Sequence, residues 1–271
     1  MSGIISCNLL TVDEEASNYP SVFPQLEFSE LREMNETYQS ENSEHICSTL
    51  NMYGFTGYSE IFFENGVNPC ENREVLRVEM TNPDTVQAAA KKSLLQNEKY
   101  TGVSDTSQLK LKGMESIQGC IVCSGPDQYS GIIEWKLVFE NQYIDSVKVI
   151  DTEITVIMDA EGVNQIWGNW YPDFKVPDFV NFGYEEVQEG MVGWQIDMRP
   201  YTGEEEIYTV QAEDLSDQPY KVHLPVEVDS ERQLELRTCW AIPISQDRSG
   251  FDGWIAYIDI EEGFLVDIEA Q

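Results

Sequence analysis

The sequence predicts an α+β protein of two related units, each a helix packed on an antiparallel sheet, after an N-terminal helix–hairpin segment. Three observations carry this. Alternating apolar and polar runs, the mark of half-buried strands, fill most of residues 109–157 and 205–270. An amphipathic segment of helical spacing precedes each of these stretches. The third is an echo. "EITVIMDAEGVNQI" and "GWIAYIDIEEGFLVDI" are each an apolar strand, an Asp, an acidic-Gly turn and a second apolar strand, with Asp159 and Asp259 100 residues apart. A repeat at that spacing suits two α+β units better than a solenoid, whose period is about 20–50 residues.

The elements follow in order. Residues 1–28 hold Pro20 and Pro24 and read as an extended lead-in. Ser29 is placed to cap a helix whose stripe is Leu31, Met34, Tyr38, Ile46 and Leu50, ended by Gly54 and Gly57. "YSEIFFENG" and "REVLRVEMT" read as strands. The clearest helix is "NPDTVQAAAKKSLLQNEKYTG". Asn82 or Asp84 caps it, Pro83 suits its first turn, and Val86, Ala89, Ala90, Leu94 and Leu95 form its apolar face until Gly102 stops it. "QGCIVCSG", "GIIEWKLVFEN", "DSVKVI" and "TEITVIMDAEG" then read as strands, and the first unit spans 29–171. Residues 172–183, with two prolines, read as a connection to a second unit at 184–271. That unit opens with "YEEVQEGMVGW" and continues in strands.

Composition narrows the function classes. The chain has 271 residues and a 41% hydrophobic share, enough for a packed core. Its 49 acidic against 16 basic side chains give a formal net charge of −33. Such a chain is repelled by phosphate backbones and anionic lipid, so a nucleic-acid partner is excluded and a cationic partner, a divalent ion or a salty habitat is favoured. No run of about 18 apolar residues is present, so no transmembrane helix is expected. His45 and His223 are the only histidines, which leaves little for His-rich zinc sites or triads.

The C-terminal "Tyr257-Ile258-Asp259 … Gly263" resembles the closing hairpin of PepSY and YPEB-type domains, where a "Y-[VI]-D-A-x-T-G" turn ends the module. Ile260 stands where Ala is usual, and the turn is one residue longer. "LRTCWAIPI", with Trp240, resembles the "L-x-P-A-W" strand before that hairpin, with Cys239 in place of the small residue and Pro243 later than the family's proline. "VQAAAKKSLLQN" resembles the helix that opens such modules. The likeness covers about residues 75–170 and, more faintly, 180–271. It implies an extracytoplasmic binding or inhibitory module, of a kind found in bacterial lipoproteins and in regulators of cell-wall hydrolases, rather than an enzyme.

Four constellations are candidates for chemistry. "IISC", ending at Cys7, fits a bacterial lipobox, but only six residues precede Cys7 and none is Lys or Arg. Cys7 is therefore either the lipid anchor of a longer precursor or an ordinary thiol near the terminus. Cys120 and Cys123 form a C-x-x-C, but Ile121 and Val122 favour a strand, which points the two thiols to opposite faces as inert buried groups. The acids Asp259, Glu261, Glu262, Asp267 and Glu269 read as a solvated strand face, and "DRSGFDG" offers two Asp around a Gly without EF-hand spacing, so no metal or cofactor is expected. Trp167, Trp170, Tyr171 and Phe174 are either a binding surface or the cover of a core edge. The Gly-x-Ser-x-Gly and phosphate-loop motifs are absent.

The sequence is thus read as a non-enzymatic extracytoplasmic module, lipid-anchored or secreted, monomeric, with an envelope protein or cell-wall component as partner. The competing reading is a carboxylate-based hydrolase of envelope polysaccharide. A third is a cytoplasmic protein whose acidity answers to salt.

Overall fold

The computed structural model describes residues 19–57, 70, 74–124, 128–172, 174–203, 205–216, 218, 220–248 and 251–271. Among these residues the chain is mixed α+β, with five α-helices and far more strand than helix. In order they are β1 (Ser21–Pro24), α1 (Phe28–Glu41), β2 (Thr49–Leu50), β3 (Thr56–Gly57), α2 (Pro83–Gln96) and α3 (Glu98–Thr101). Next come β4 (Leu111–Val122), β5 (Tyr129–Phe139), β6 (Tyr143–Ile144), β7 (Val147–Val149), β8 (Ile154–Met158) and β9 (Val163–Trp167). The rest are α4 (Tyr184–Met191), β10 (Gln195–Asp197), α5 (Arg199–Thr202), β11 (Ile207–Thr209), β12 (Tyr220–Val228), β13 (Gln233–Arg248), β14 (Phe251–Asp259) and β15 (Leu265–Ala270).

Two larger sheets organise the chain. The first is the antiparallel β4-β5-β8-β9 sheet. Val86, Ala90 and Leu94 of α2 join Leu137, Phe139, Val156 and Ile166 of this sheet in one core, with Leu31 and Tyr38 from α1. The second runs β15-β14-β13-β12-β7-β6 with β1 also on β13. Tyr184, Val187 and Met191 of α4 pack on Ile242, Ile244, Trp254 and Ala256 of that sheet. Phe23, Phe55, Tyr171 and Leu236 meet where the two bodies touch.

Several expectations change. The first helix begins at Phe28 rather than after a Ser29 cap, and it ends at Glu41. Ser43 and Glu44 both take positive φ, which no helix continues. Ile46 and Leu50 are buried as the apolar stripe requires, but from a loop and a strand. "REVLRVEMT" forms no strand over its described part. It runs beside β5 through Val78 N–H to the Ile132 carbonyl and Trp135 Nε1–H to the Met80 carbonyl. "YSEIFFENG" lies outside the described residues. Asn82 caps α2 through Asp84 and Thr85 N–H, and Leu95 points to solvent. Gly102 has φ 69°, and a Cβ there would lie 1.9 Å from the Trp170 carbonyl, so only glycine fits.

The boundary after 171 is not kept by hydrogen bonding. β1, from the expected lead-in, pairs with β13, and β6–β7, from within the first span, extends the second sheet. The β12–β7 pairing is parallel, so that sheet is mixed. It stops after Val222 and His223. The His223 carbonyl faces β7, so the next residue on that side is Pro225, which has no N–H to give.

β13 is shared along one edge, by β1 at Gln233–Leu236 and by β14 from Cys239 onward. Arg237 lies at the changeover with its side chain 11% exposed. It contacts Glu235 at 2.6 Å, Asp259 at 2.9 Å and Glu262 at 2.8 Å, with Phe264 under its guanidinium. Burial pulls its pKa down, but Glu262, Asp259 and Glu235 outweigh this and hold it above the usual arginine range. Replacing Arg237 by Met leaves the fully buried Asp259 unpaired and should cost about 3–5 kcal/mol in urea unfolding. The double variant Arg237→Met, Asp259→Asn should lose clearly less than the sum of the single losses.

His223 is buried, with its ring 4.4 Å from Phe174 and Nδ1 3.0 Å from Thr238 Oγ1. Burial lowers its pKa to about 4, with Lys221 acting the same way and the Ile144 carbonyl and Asp145 opposing. The unfolded imidazole takes its proton near pH 6.5 and the folded one only near 4, so stability falls as pH drops through that window. The loss should reach about 3 kcal/mol by pH 4 in urea titrations, and His223→Gln should remove most of this dependence.

Candidate functional site

The two Asp-Gly turns are built alike at their cores. β8 ends at Met158, and Asp159 Oδ1 then accepts the N–H groups of Glu161 at 2.8 Å and Gly162 at 3.3 Å. β14 ends at Asp259, whose Oδ1 accepts the N–H groups of Glu261 at 2.8 Å and Glu262 at 2.9 Å. An aspartate that folds back on the next N–H groups is the usual way to tighten such a turn. Their second oxygens differ. Asp259 Oδ2 is closed off by Arg237 and the Tyr19 hydroxyl. Asp159 Oδ2 takes Asn164 Nδ2 at 2.8 Å, and its Oδ1 lies 3.0 Å from His45 Nε2.

Beside Asp159 lies a cavity of about 120 Å³. Glu74, Glu134, Asp159, Glu161 and Asn164 line it with Cys70, and Val75, Leu76 and Ile133 give it an apolar wall. Cys70 is tied by a disulfide to Cys47, and Cys47 N–H is bonded at 2.8 Å to the Asn164 carbonyl, so the rim is anchored to β9. Glu134 projects here from β5. Its pKa is raised, first by desolvation and then by Asp159, while a hydrogen bond from Asn164 opposes the rise. His45 also approaches Glu161 at 3.4 Å.

Chemically, these acids are not equivalent. Asp159 already accepts from two turn amides and Asn164 and touches His45, so its oxygens are taken up in holding the turn. Glu74, Glu134 and Glu161 are the cavity's other carboxylates. The cavity is well below the roughly 300–1,000 Å³ of whole-molecule ligand sites and suits an end group. Among the described residues no three His, Cys, Asp or Glu side chains gather as a metal site.

The residues singled out from sequence are scattered. Cys7 lies outside the described residues. Trp167 is 39% exposed, but Trp170 and Tyr171 are 4% and 8% exposed, and Phe174 packs on His223. They share no open face, because Trp170 enters the first core and Tyr171 the junction. Cys120 and Cys123 are bonded to each other and exposed, not buried thiols. The ladder shifts register between Cys120 and Val122, so the alternation that would separate them does not hold there. Cys239 is the buried free thiol of the described residues, its pKa pushed up by burial, and it is inert. Of the hairpin acids, Asp259 is fully buried and structural, while Glu262, Asp267 and Glu269 are exposed. "DRSGFDG" lies partly outside the described residues.

Sequence reading missed Glu134, Asn164 and His45. Glu134 did carry a signal, as the one charge within the apolar run Ile132, Ile133, Trp135. His45 and Asn164 gave none, being brought to Asp159 only by the fold.

No protein-family model and no curated protein matches the chain. Among solved structures it is similar to the Bacillus megaterium YpeB C-terminal domain. The match has 10% identity over 74% of this chain and 69% of that one, with a TM-score of 0.27. A likeness at that level does not establish a common fold.

A carboxyl whose folded pKa is raised costs stability once it ionises. Glu134→Gln should therefore raise the urea midpoint at pH 7 and leave it unchanged at pH 3, where both folded and unfolded Glu134 are protonated.

Proposed function

We propose that this protein is a non-enzymatic binding or regulatory module that works outside the cytoplasm, of PepSY/YPEB type, and engages a cationic face of an envelope protein or cell-wall component. The observation that carries the reading is the pair of disulfides, Cys47–Cys70 and Cys120–Cys123. Such bonds persist in oxidising compartments and are rare where thioredoxin and glutathione keep thiols reduced. The formal charge of −33 supports the choice of partner, since it steers cations in and turns anions away. The turn motifs at Asp159 and Asp259, and the packing of α2 and α4 on their sheets, support the kinship. Cys7 remains the proposed lipid anchor if a leader precedes it in the precursor.

One observation favours the hydrolase as a second reading, the acid-lined cavity with its elevated Glu134. That chemistry needs two facing carboxylates; Asp159 is committed to the turn, which leaves Glu74, Glu134 and Glu161 as the candidates.

Protein recovered from its native compartment and alkylated without reduction should keep Cys47, Cys70, Cys120 and Cys123 unlabelled, with Cys239 labelled only after unfolding. Labelling of Cys47, Cys70, Cys120 and Cys123 in the unreduced cell extract after unfolding would overturn the location. Purified protein should release no sugar from envelope polysaccharide. Hydrolysis abolished by Glu134→Gln would instead establish the enzyme reading.

A further inference from the structure

We propose that the Cys120–Cys123 disulfide is a thiol–disulfide exchange site, reduced reversibly by the dithiol of a C-x-x-C redox protein. The proposal goes beyond the reading above, and the exchange itself does not rest on the protein's location. It starts from where the bond sits. β8 pairs with β5 only from Trp135 to Phe139, whereas β4 and β5 stay paired out to Val122 and Tyr129. Their far ends therefore project past the four-stranded sheet as a two-stranded ribbon, and β4 is the edge strand of that sheet. Cys120 and Cys123 lie at the end of the ribbon, and both are exposed.

The bond does little as a staple. It joins two residues of one strand end, 3 apart in sequence, and so cross-links nothing across the hairpin. A loop that short removes little entropy from the unfolded chain. What the bond does hold is a bend. Residues that far apart on an extended strand are separated by about 10 Å. Here the two Cα atoms are 5.4 Å apart, at the register shift between Cys120 and Val122. The other disulfide is its opposite. Cys47–Cys70 spans 23 residues, and Cys47 is 3% exposed with its N–H bonded to the Asn164 carbonyl. Exchange needs access to a sulfur, so one bond is open to an attacking thiolate and the other is shielded.

The chemistry balances with the donor dithiol as its only co-reactant. A donor thiolate attacks one of the two sulfurs, the S–S bond breaks, and the other sulfur leaves as a thiolate that takes a proton from water. The donor's second thiolate then attacks its own sulfur in the mixed disulfide and releases the remaining protein thiol. Two electrons pass to the protein, and the donor departs as its disulfide. Reoxidation is the same exchange run backward against an oxidised partner, and reduction frees the bend.

The test uses the whole purified chain in native buffer. It is treated with a reduced thioredoxin-type protein and, separately, with dithiothreitol, then quenched in acid, unfolded and alkylated. Peptide mass spectrometry reads the label on each cysteine. Cys120 and Cys123 should be reduced about a hundredfold faster than Cys47 and Cys70. A thioredoxin-type donor lacking its second cysteine should be trapped on one of the exposed pair, and oxidised glutathione should restore the bond. Rates within about tenfold of each other, or reduction only in urea, would overturn the proposal. Amide NMR shifts on reduction should stay within residues 117–134, and shifts across the whole first sheet would show a structural bond instead. The double variant Cys120→Ser, Cys123→Ser should keep the wild-type urea midpoint and lose the trapping, whereas a clearly lower midpoint would also overturn the proposal. Fast exchange in the purified protein together with reduced cysteines in the cell would overturn the location alone. Slow exchange with oxidised cysteines in the cell would overturn the exchange site alone.

Discussion

A gap in a β-ladder, filled by side chains, is the constraint on which the second sheet depends. β13 exchanges one partner strand for another along the same edge, and between the end of β1 and the start of β14 its backbone needs other partners. Tyr19 supplies one. Its hydroxyl accepts the Thr238 N–H at 2.8 Å and donates to Asp259 Oδ2 at 2.8 Å. Asp259 in turn holds the β14–β15 turn and faces Arg237. One connected set of polar groups thus joins the strand before the first helix, the central strand and the C-terminal hairpin. The phenol is held firmly neutral by burial first and by Asp259 second, which keeps it a donor to the carboxylate. A buried network of this kind is stable only when every member is satisfied.

The same turn chemistry has two outcomes in one molecule. At Asp259 the second oxygen meets an arginine and a tyrosine, and the site is sealed. At Asp159 it takes the Asn164 amide at 2.8 Å, beside a cavity. The disulfide from Cys47 to Cys70 ties the rim of that cavity to the segment that follows the first helix.

Much of the architecture was legible because its signals are local. The α2 cap at Asn82, the alternation of β5 and β8, and both Asp-Gly turns depend on residues within a few positions of one another. The errors are just as physical. Ile46 and Leu50 kept their burial and lost their helix, since helical spacing records which residues face inward and says nothing of a reversal at Ser43 and Glu44. The aromatic run 167–174 reads as one patch along the chain, but consecutive aromatics on an irregular segment point into different cores.

By itself, the sequence determined the α+β class, the strong acidity, and the two turns. These follow from composition, periodicity and short-range hydrogen bonding. Only the tertiary structure decided that β1 and β6–β7 join the far sheet, that Cys47 meets Cys70, and that His45, Glu134, Asp159 and Asn164 share one site. Those contacts close loops of many residues, and no local preference encodes which distant strand edge or acceptor a segment will find.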